Sequence, residues 1–360
     1  MRIAIRVDAS EQIGMGHVMR TLTLAHELKK KGAEVSFVSR ELPGNLCGFI
    51  ESQGFFIQRL PSPQGVPIEA PLAHSHWLGV DWSLDAEQTS AAIRKLKPHW
   101  LVVDHYALDK NWESNLRSSA NKIMVIDDLA DRPHDCDLLV DQNLYDRLET
   151  RYQGLISAKC ETLLGPDYAL LREEFKSTQR QLRPRDGSVR KIFIFFGGVD
   201  PSRETEKALR ALSLLKLENL EVDVIVGKTN PARENIQKFC AELPHCHFHS
   251  QVTNISQFMR EADLALGGGG TTTWERLCLG LPSIVISIAE NQEKVAECVA
   301  KTGGQIYLGK ASEINDQRLA AQIRILLEDQ KTVKEISAKA LRIVDGLGTE
   351  RVSQKIQAGL

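Results

Sequence analysis

Short runs of apolar residues alternate along the chain with longer segments in which apolar residues recur at helical spacing. That is the pattern of repeated strand and helix units around parallel sheets. In the first half, Arg2 to Val7, Glu34 to Ser39, Trp100 to Asp104, Ile123 to Asp127 and Leu138 to Val140 read as strands, most of them ending in an acidic or polar residue. Between the first two, Val18, Leu22, Ala25 and Leu28 fall on one helical face, and Gly32 offers a left-handed stop. The second half repeats the pattern in "KIFIFFGGVD", "LEVDVIVG", "CHFHSQV", "ADLALGGGG" and "PSIVISI". A polar, charged interval over 176–191 separates the halves, so the expected domains are 1–183 and 184–360, two doubly wound halves with a cleft between them. Residues 62–77, with three prolines and no periodicity, read as a connecting loop over the first domain.

Composition narrows the function classes. In 360 residues the net charge is only -2 and no block of like charge stands out, so nothing pulls the chain toward nucleic acid or an anionic membrane. Seven scattered cysteines make no C-x-x-C pair, which points away from zinc and redox chemistry and toward reduced thiols in the cytoplasm. The sequence shows no export signal and no apolar run of membrane-spanning length.

The first candidate chemistry lies in "RVDASEQIGMGHVMR", residues 6–20. Read as a dinucleotide fingerprint it fails, because Met19 takes the place of the third glycine and Ser39 and Arg40 stand where an acidic ribose ligand belongs. Read for His17, it places an imidazole in the first turn of a helix, where the positive end of the dipole favours the neutral ring, a competent general base. Taken alone, the stretch reads better as a helix start, with His17 a polar first-turn residue and the glycines, Gly14 and Gly16, making the turn. Asp104, His105 and Tyr106 end one strand and Asp127 and Asp128 the next, positions that project toward the same crevice. The residues alone leave open that Asp104 caps the next helix and that "IDD" only begins a turn. Asp8 and Asn143 extend this polar crevice, which lacks metal-ligand spacing. His245, His247 and His249 share a strand with no carboxylate near in sequence and read as a solvated face.

A second signal is "ADLALGGGGTTTWERLCLGLPSIVI", residues 262–286. Successive glycines at a strand end, then Thr271 to Thr273, then a helix with Glu275 in its first turn, suit a phosphate nest, with Glu275 placed to accept ribose hydroxyls. Asn291 and Gln292 add amide groups after the following strand.

Several stretches together resemble a known family, the UDP-sugar hydrolases of pseudaminic acid biosynthesis within the MurG-like GT-B enzymes. They are R-x-D-x-S-x-x-I-G-x-G-H-x-x-R from Arg6 to Arg20, "DHY" at 104–106, "DD" at 127–128, "YALLREEF" at 168–175, GG-x-D at 197–200, the glycine loop with Glu275, and "NQE" at 291–293. The likeness runs in order through nearly the whole chain. It implies an α/β GT-B fold of two Rossmann-like domains, the first carrying the catalytic histidine and sugar site, the second binding UDP. It implies hydrolysis of UDP-2,4-diacetamido-2,4,6-trideoxy-β-L-altropyranose by water attack at the anomeric carbon, with inversion. His17 would be the base, and Tyr106 and Asn291 would contact sugar or water. Asp8, Gly16 and Gln292 complete the expected substrate side. On the nucleotide side Glu275 would hold the ribose, Gly270 and Thr271 the diphosphate, and the backbone near Val252 the uracil, with Gly198 and Gly269 beside them. The expectation is a monomeric cytoplasmic enzyme with a small-molecule UDP-sugar partner, no cofactor and no metal. A transferase using the same nucleotide pocket, a hydrolase of another UDP-sugar, and a non-catalytic UDP-sugar binder are the rival expectations.

Overall fold

A computed structural model describes residues 1–63, 72–217 and 219–359. The chain divides into two compact units. The first comprises 1–143, 147–171 and 347–360, and the second 144–146 and 172–346.

The first unit is built on a parallel seven-stranded sheet. Its strands are β1 (Arg2–Val7), β2 (Glu34–Arg40), β3 (Phe56–Leu60), β4 (Trp100–Asp104), β5 (Lys122–Ile126), β6 (Leu138–Asp141) and β7 (Glu161–Leu164). Their spatial order is β3-β2-β1-β4-β5-β6-β7. β1 shows why such strands read as continuous apolar runs: Ile3, Ile5 and Val7 pack into a core on one face while Ala4 packs into a core on the other. The helix Gly16–Lys30 follows β1 and ends before Gly32, whose φ of +84° is the expected left-handed stop.

The second unit carries a parallel six-stranded sheet. It contains β8 (Lys191–Phe195), β9 (Glu221–Val226), β10 (Cys246–Ser250), β11 (Leu264–Gly268), β12 (Ser283–Ser287) and β13 (Ile306–Lys310), in the order β10-β9-β8-β11-β12-β13. All ten expected strands are present, to within a few residues at their ends. β3, β7 and β13 were not expected; each is a sheet edge, with more exposed and partly exposed positions than the interior strands, so its apolar signal is weak.

The observed division also departs from a single cut at 183/184. Residues 172–183 fold with the second unit, where Gln179 donates to the carbonyls of Cys278 and Val344. The last helix, Gly348–Ala358, folds with the first unit, burying Val352 and Ile356 against the core that holds Leu24 and Leu28. Of the loop expected over 62–77, residues 64–71 lie outside the described residues; Ser75–Leu78 form a short helical turn.

Because Ile356 is fully buried in the first unit, Ile356→Ala should destabilise that unit by about 2–5 kcal/mol. Hydrogen exchange checks this: the β1 amides should exchange faster while β8 amides keep their protection. Unchanged β1 protection would overturn the assignment of this helix.

Candidate active site

In both sheets the strand order reverses between the first strand and its neighbour, β1 beside β4 and β8 beside β11. The chain leaves such strands in opposite directions and opens a crevice at their carboxyl ends. In the first unit the loop after β1 closes with the Gly14 amide donating to the Ser10 carbonyl at 2.9 Å, and Gly14 takes a φ of +77° that strains any other residue. The turn delivers His17 to the start of the helix, opposite the end of β4.

His17 Nδ1 lies 2.6 Å from Asp104 Oδ1. Burial alone would raise the Asp104 carboxyl, but the Arg20 guanidinium and His17 outweigh it and hold the pKa down at about 2. An ionised carboxylate only accepts, so Nδ1 carries a proton and, in the neutral ring, Nε2 holds the lone pair. Arg20, one turn along, donates from Nε to Asp104 Oδ2 and from a terminal nitrogen to Oδ1, both at 2.6 Å. Its other terminal nitrogen reaches Asp128 at 2.8 Å. The Tyr106 hydroxyl also donates to Asp128, at 2.8 Å, and its ring stands edge-on to His17 with centroids 4.6 Å apart. Trp77 stacks on Tyr106 at 5.6 Å, and His74 packs against both rings. Burial and the Asp128 charge push the Tyr106 hydroxyl well above its ordinary value, so it stays a proton donor.

The open alternatives at these strand ends now separate. Asp109, not Asp104, caps the next helix. Of the "IDD" pair, Asp127 makes the turn, accepting from the Ala130 amide at 2.9 Å, while Asp128 faces Arg20. Asp8, expected on the substrate side, needs correcting: it has no exposed surface and is an internal counter-ion. Its oxygens accept from Arg6 at 2.6 and 2.8 Å, from the Ser39 hydroxyl and from the Arg40 amide. Arg6 and Arg40 in turn bind buried Asp85. His105 points into this interior cluster, 3.4 Å from Asp8, rather than toward His17. Gly16 is exposed at the first helical position, next to His17. Asn143 sits beside Asp141, whose carboxyl is pushed up to about 7 by burial and by the charges of Asp128 and Asp127.

In the second unit the glycine loop runs from the end of β11 to Thr271. Gln292 Oε1 accepts from the Gly269 amide at 3.2 Å and from the Ile288 amide at 3.1 Å, so this expected sugar contact holds the loop itself. Asn291, its neighbour, is exposed. No acceptor among the described residues engages the Gly270 or Thr271 amide. Gly198 ends the β8 turn, its carbonyl taking the Gly227 amide at 2.9 Å; a Cβ on Gly227 would lie 2.4 Å from that oxygen. Val252 is half-buried after β10. Glu275 is buried, which raises its carboxyl, and its Oε1 is 3.3 Å from Arg172.

Sequence reasoning missed Arg20, Trp77, Arg172 and Arg276 as site-forming residues. Arg20 carried a signal, its spacing of one helical turn from His17. Trp77 lay hidden in a segment read as a loop. His249 pairs with Asp223 on the neighbouring strand at 2.8 Å, a carboxylate distant in sequence. Among the described residues no group of three His, Cys, Asp or Glu side chains is arranged to hold a metal ion, and no helix is long and apolar enough to cross a membrane.

Comparison with known proteins bears on the fold. The model of the glycosyltransferase family 28 C-terminal domain matches residues 192–351. A UDP-2,4-diacetamido-2,4,6-trideoxy-β-L-altropyranose hydrolase of Campylobacter jejuni is 27% identical over 310 residues, covering 85% of this chain and 98% of that relative. The spore coat polysaccharide biosynthesis protein SpsG of Bacillus subtilis is 22% identical over 362 residues, covering 99% and 98%. Among solved structures, MurG of Acinetobacter baumannii superposes with a TM-score of 0.68 at 15% identity over 99% of each chain. The fold is GT-B, with a family 28-like carboxy-terminal half.

Behind the first site, His134 is sealed between Glu113, 2.7 Å from Nδ1, and Asp127, 3.8 Å from Nε2. Burial opposes its charged form, but these two carboxylates outweigh it and raise the pKa from 6.5 to about 9. A raised folded pKa gives stability that is complete below the unfolded value and is lost as pH rises through the folded one. Denaturant unfolding should therefore show the wild-type advantage over His134→Gln shrinking between pH 6.5 and 9. A gap that stays constant over that window would overturn the assignment.

Proposed function

We propose that this protein is an inverting UDP-sugar hydrolase acting on UDP-2,4-diacetamido-2,4,6-trideoxy-β-L-altropyranose, releasing UDP and the free sugar. The observation that carries this reading is the His17 and Asp104 pair, 2.6 Å apart, which leaves Nε2 as a base. The Campylobacter jejuni relative, matched over 98% of its length, supports the substrate. The family 28 match supports a nucleotide-sugar task for the second unit.

In this reading Nε2 of His17 takes a proton from water as the oxygen bonds to the anomeric carbon. The bond from that carbon to the phosphate oxygen breaks, and UDP leaves with the electron pair. Asp104 steadies the imidazolium that forms, and Arg20 keeps Asp104 ionised. In the second unit the Gly270 and Thr271 amides would meet the charge of the leaving diphosphate. Glu275 accepts from the ribose hydroxyls, and the backbone near Val252, with Gly198, borders the base. Tyr106 and Asn291 contact the sugar, Gly16 leaves room beside His17, and Gln292 shapes the loop through Gly269.

His17→Ala and Asp104→Asn should each lower turnover by about 10²- to 10⁴-fold while UDP affinity stays unchanged. Glu275→Ala should weaken UDP binding instead. Turnover in heavy-oxygen water, followed by mass spectrometry, should place the label on C1 of the sugar. Label in UDP would mean attack at phosphorus, and product formed only when an alcohol or amine acceptor is added would favour a transferase; either result overturns the proposal.

A further inference from the structure

Arg276 has no exposed role and no carboxylate partner among the described residues, yet it sits directly against the glycine loop. Its side chain is buried, at 1% exposure. One terminal nitrogen donates to the Gly268 carbonyl at 2.8 Å and to Thr273 Oγ1 at 3.2 Å; the other donates to Thr272 Oγ1 at 3.1 Å. Its Nε has no partner. The backbone has been shaped around it, since a Cβ on Gly267 would lie 2.7 Å from the guanidinium and 2.8 Å from the Phe195 carbonyl. The nearest acid, Glu275, faces Arg172.

A buried cation without a counter-ion is costly, and burial pulls the Arg276 pKa down to about 10 with Glu275 alone opposing. Arg185, a half-buried guanidinium of this unit whose pKa is also lowered by burial, differs in kind. It donates to the Met259, Arg260 and Ala262 carbonyls, at the negative end of the helix Ile255–Glu261. Arg276 has one carbonyl and two hydroxyls. A guanidinium only donates, so both threonine oxygens accept from it and their O–H hydrogens are left to donate elsewhere. Thr273 is enclosed, whereas Thr272 is half-buried at the loop.

We propose that Arg276 is a positioning residue for the nucleotide's diphosphate: from beneath the glycine loop it supplies the missing positive charge and commits the Thr272 hydroxyl to donate to a phosphate oxygen. It touches no ligand atom itself. This inference rests on the reading of the second unit as the UDP-binding unit.

Calorimetric titration of uridine and of UDP into the full-length wild type, Arg276→Gln, Arg276→Lys, Thr272→Val and Thr272→Ser tests it, with thermal melts to confirm folding. The wild type should prefer UDP to uridine. Arg276→Gln should lose about 10- to 100-fold in UDP affinity and nothing in uridine affinity, with Arg276→Lys between the two. Thr272→Val should lose part of the UDP preference and Thr272→Ser keep it, so the threonine variants carry the test if Arg276→Gln does not fold. Folded Arg276→Gln with wild-type UDP affinity, or an equal loss for uridine and UDP, overturns the role of Arg276 while leaving the UDP reading in place. A wild type that binds uridine and UDP alike overturns the UDP reading and the inference with it.

Discussion

A carboxylate with no exposed surface keeps its charge only when cations reach it, and at the end of β4 the cation that reaches Asp104 is Arg20, through two bonds of 2.6 Å. The rest of the first site inherits its polarity from that contact. An ionised Asp104 has only lone pairs to offer, so a His17 proton resides on Nδ1 and the lone pair of the neutral ring is on Nε2. Without Arg20, burial would favour a protonated Asp104, which could donate to Nδ1 and reverse the imidazole. The remaining arm of Arg20 fixes Asp128, Asp128 fixes the Tyr106 hydroxyl, and Tyr106 with Trp77 walls the ring. A removed partner in such a network leaves a buried charge uncompensated, which costs about 3–5 kcal/mol.

The same physics explains what the sequence could and could not show. Interior strands are buried on both faces and announce themselves as apolar runs. Edge strands such as β3, with Phe56, Gln58 and Arg59 exposed, do not. Asp8 and Asp104 look alike on the page, each an acid where a strand finishes. What separates them is the side chain that arrives. Arg6 and Asp8 lie two residues apart, a spacing that puts side chains on one face of a strand, and Arg40 comes from β2 alongside. That spacing was a readable sign that Asp8 had a partner at home. Asp104 meets residues 84 and 87 positions away, and only the fold reveals them. The last helix was hidden for a related reason. An amphipathic segment shows that it has a buried face, but not which core receives it.

The two sheets pose one topological question and answer it with opposite charge. Each has a switch point beside its first strand, and each fills that place with a loop containing glycine. In the first unit a single guanidinium, Arg20, faces two carboxylates, Asp104 and Asp128, so beside a neutral imidazole this part of the crevice keeps an excess of negative charge. In the second unit a guanidinium lies under the loop with hydroxyls and a carbonyl for company. Under the proposed role of Arg276, the bound diphosphate would supply the balancing charge there.

That asymmetry suits a reaction in which charge moves one way. In the proposed hydrolysis an uncharged water and the imidazole lone pair would start the displacement, and the electron pair of the broken bond would end on the departing phosphate. A cation beside the nucleophile would hinder proton removal from water, whereas a cation beneath the leaving group stabilises the charge as it develops. The proposed reaction fits this arrangement, with Arg20 held by Asp104 and Asp128 and Arg276 held by hydroxyls and a carbonyl. Gly267 serves the Arg276 side of it: by giving up its side chain it lets an arginine lie under the loop where an aliphatic residue would pack with less cost.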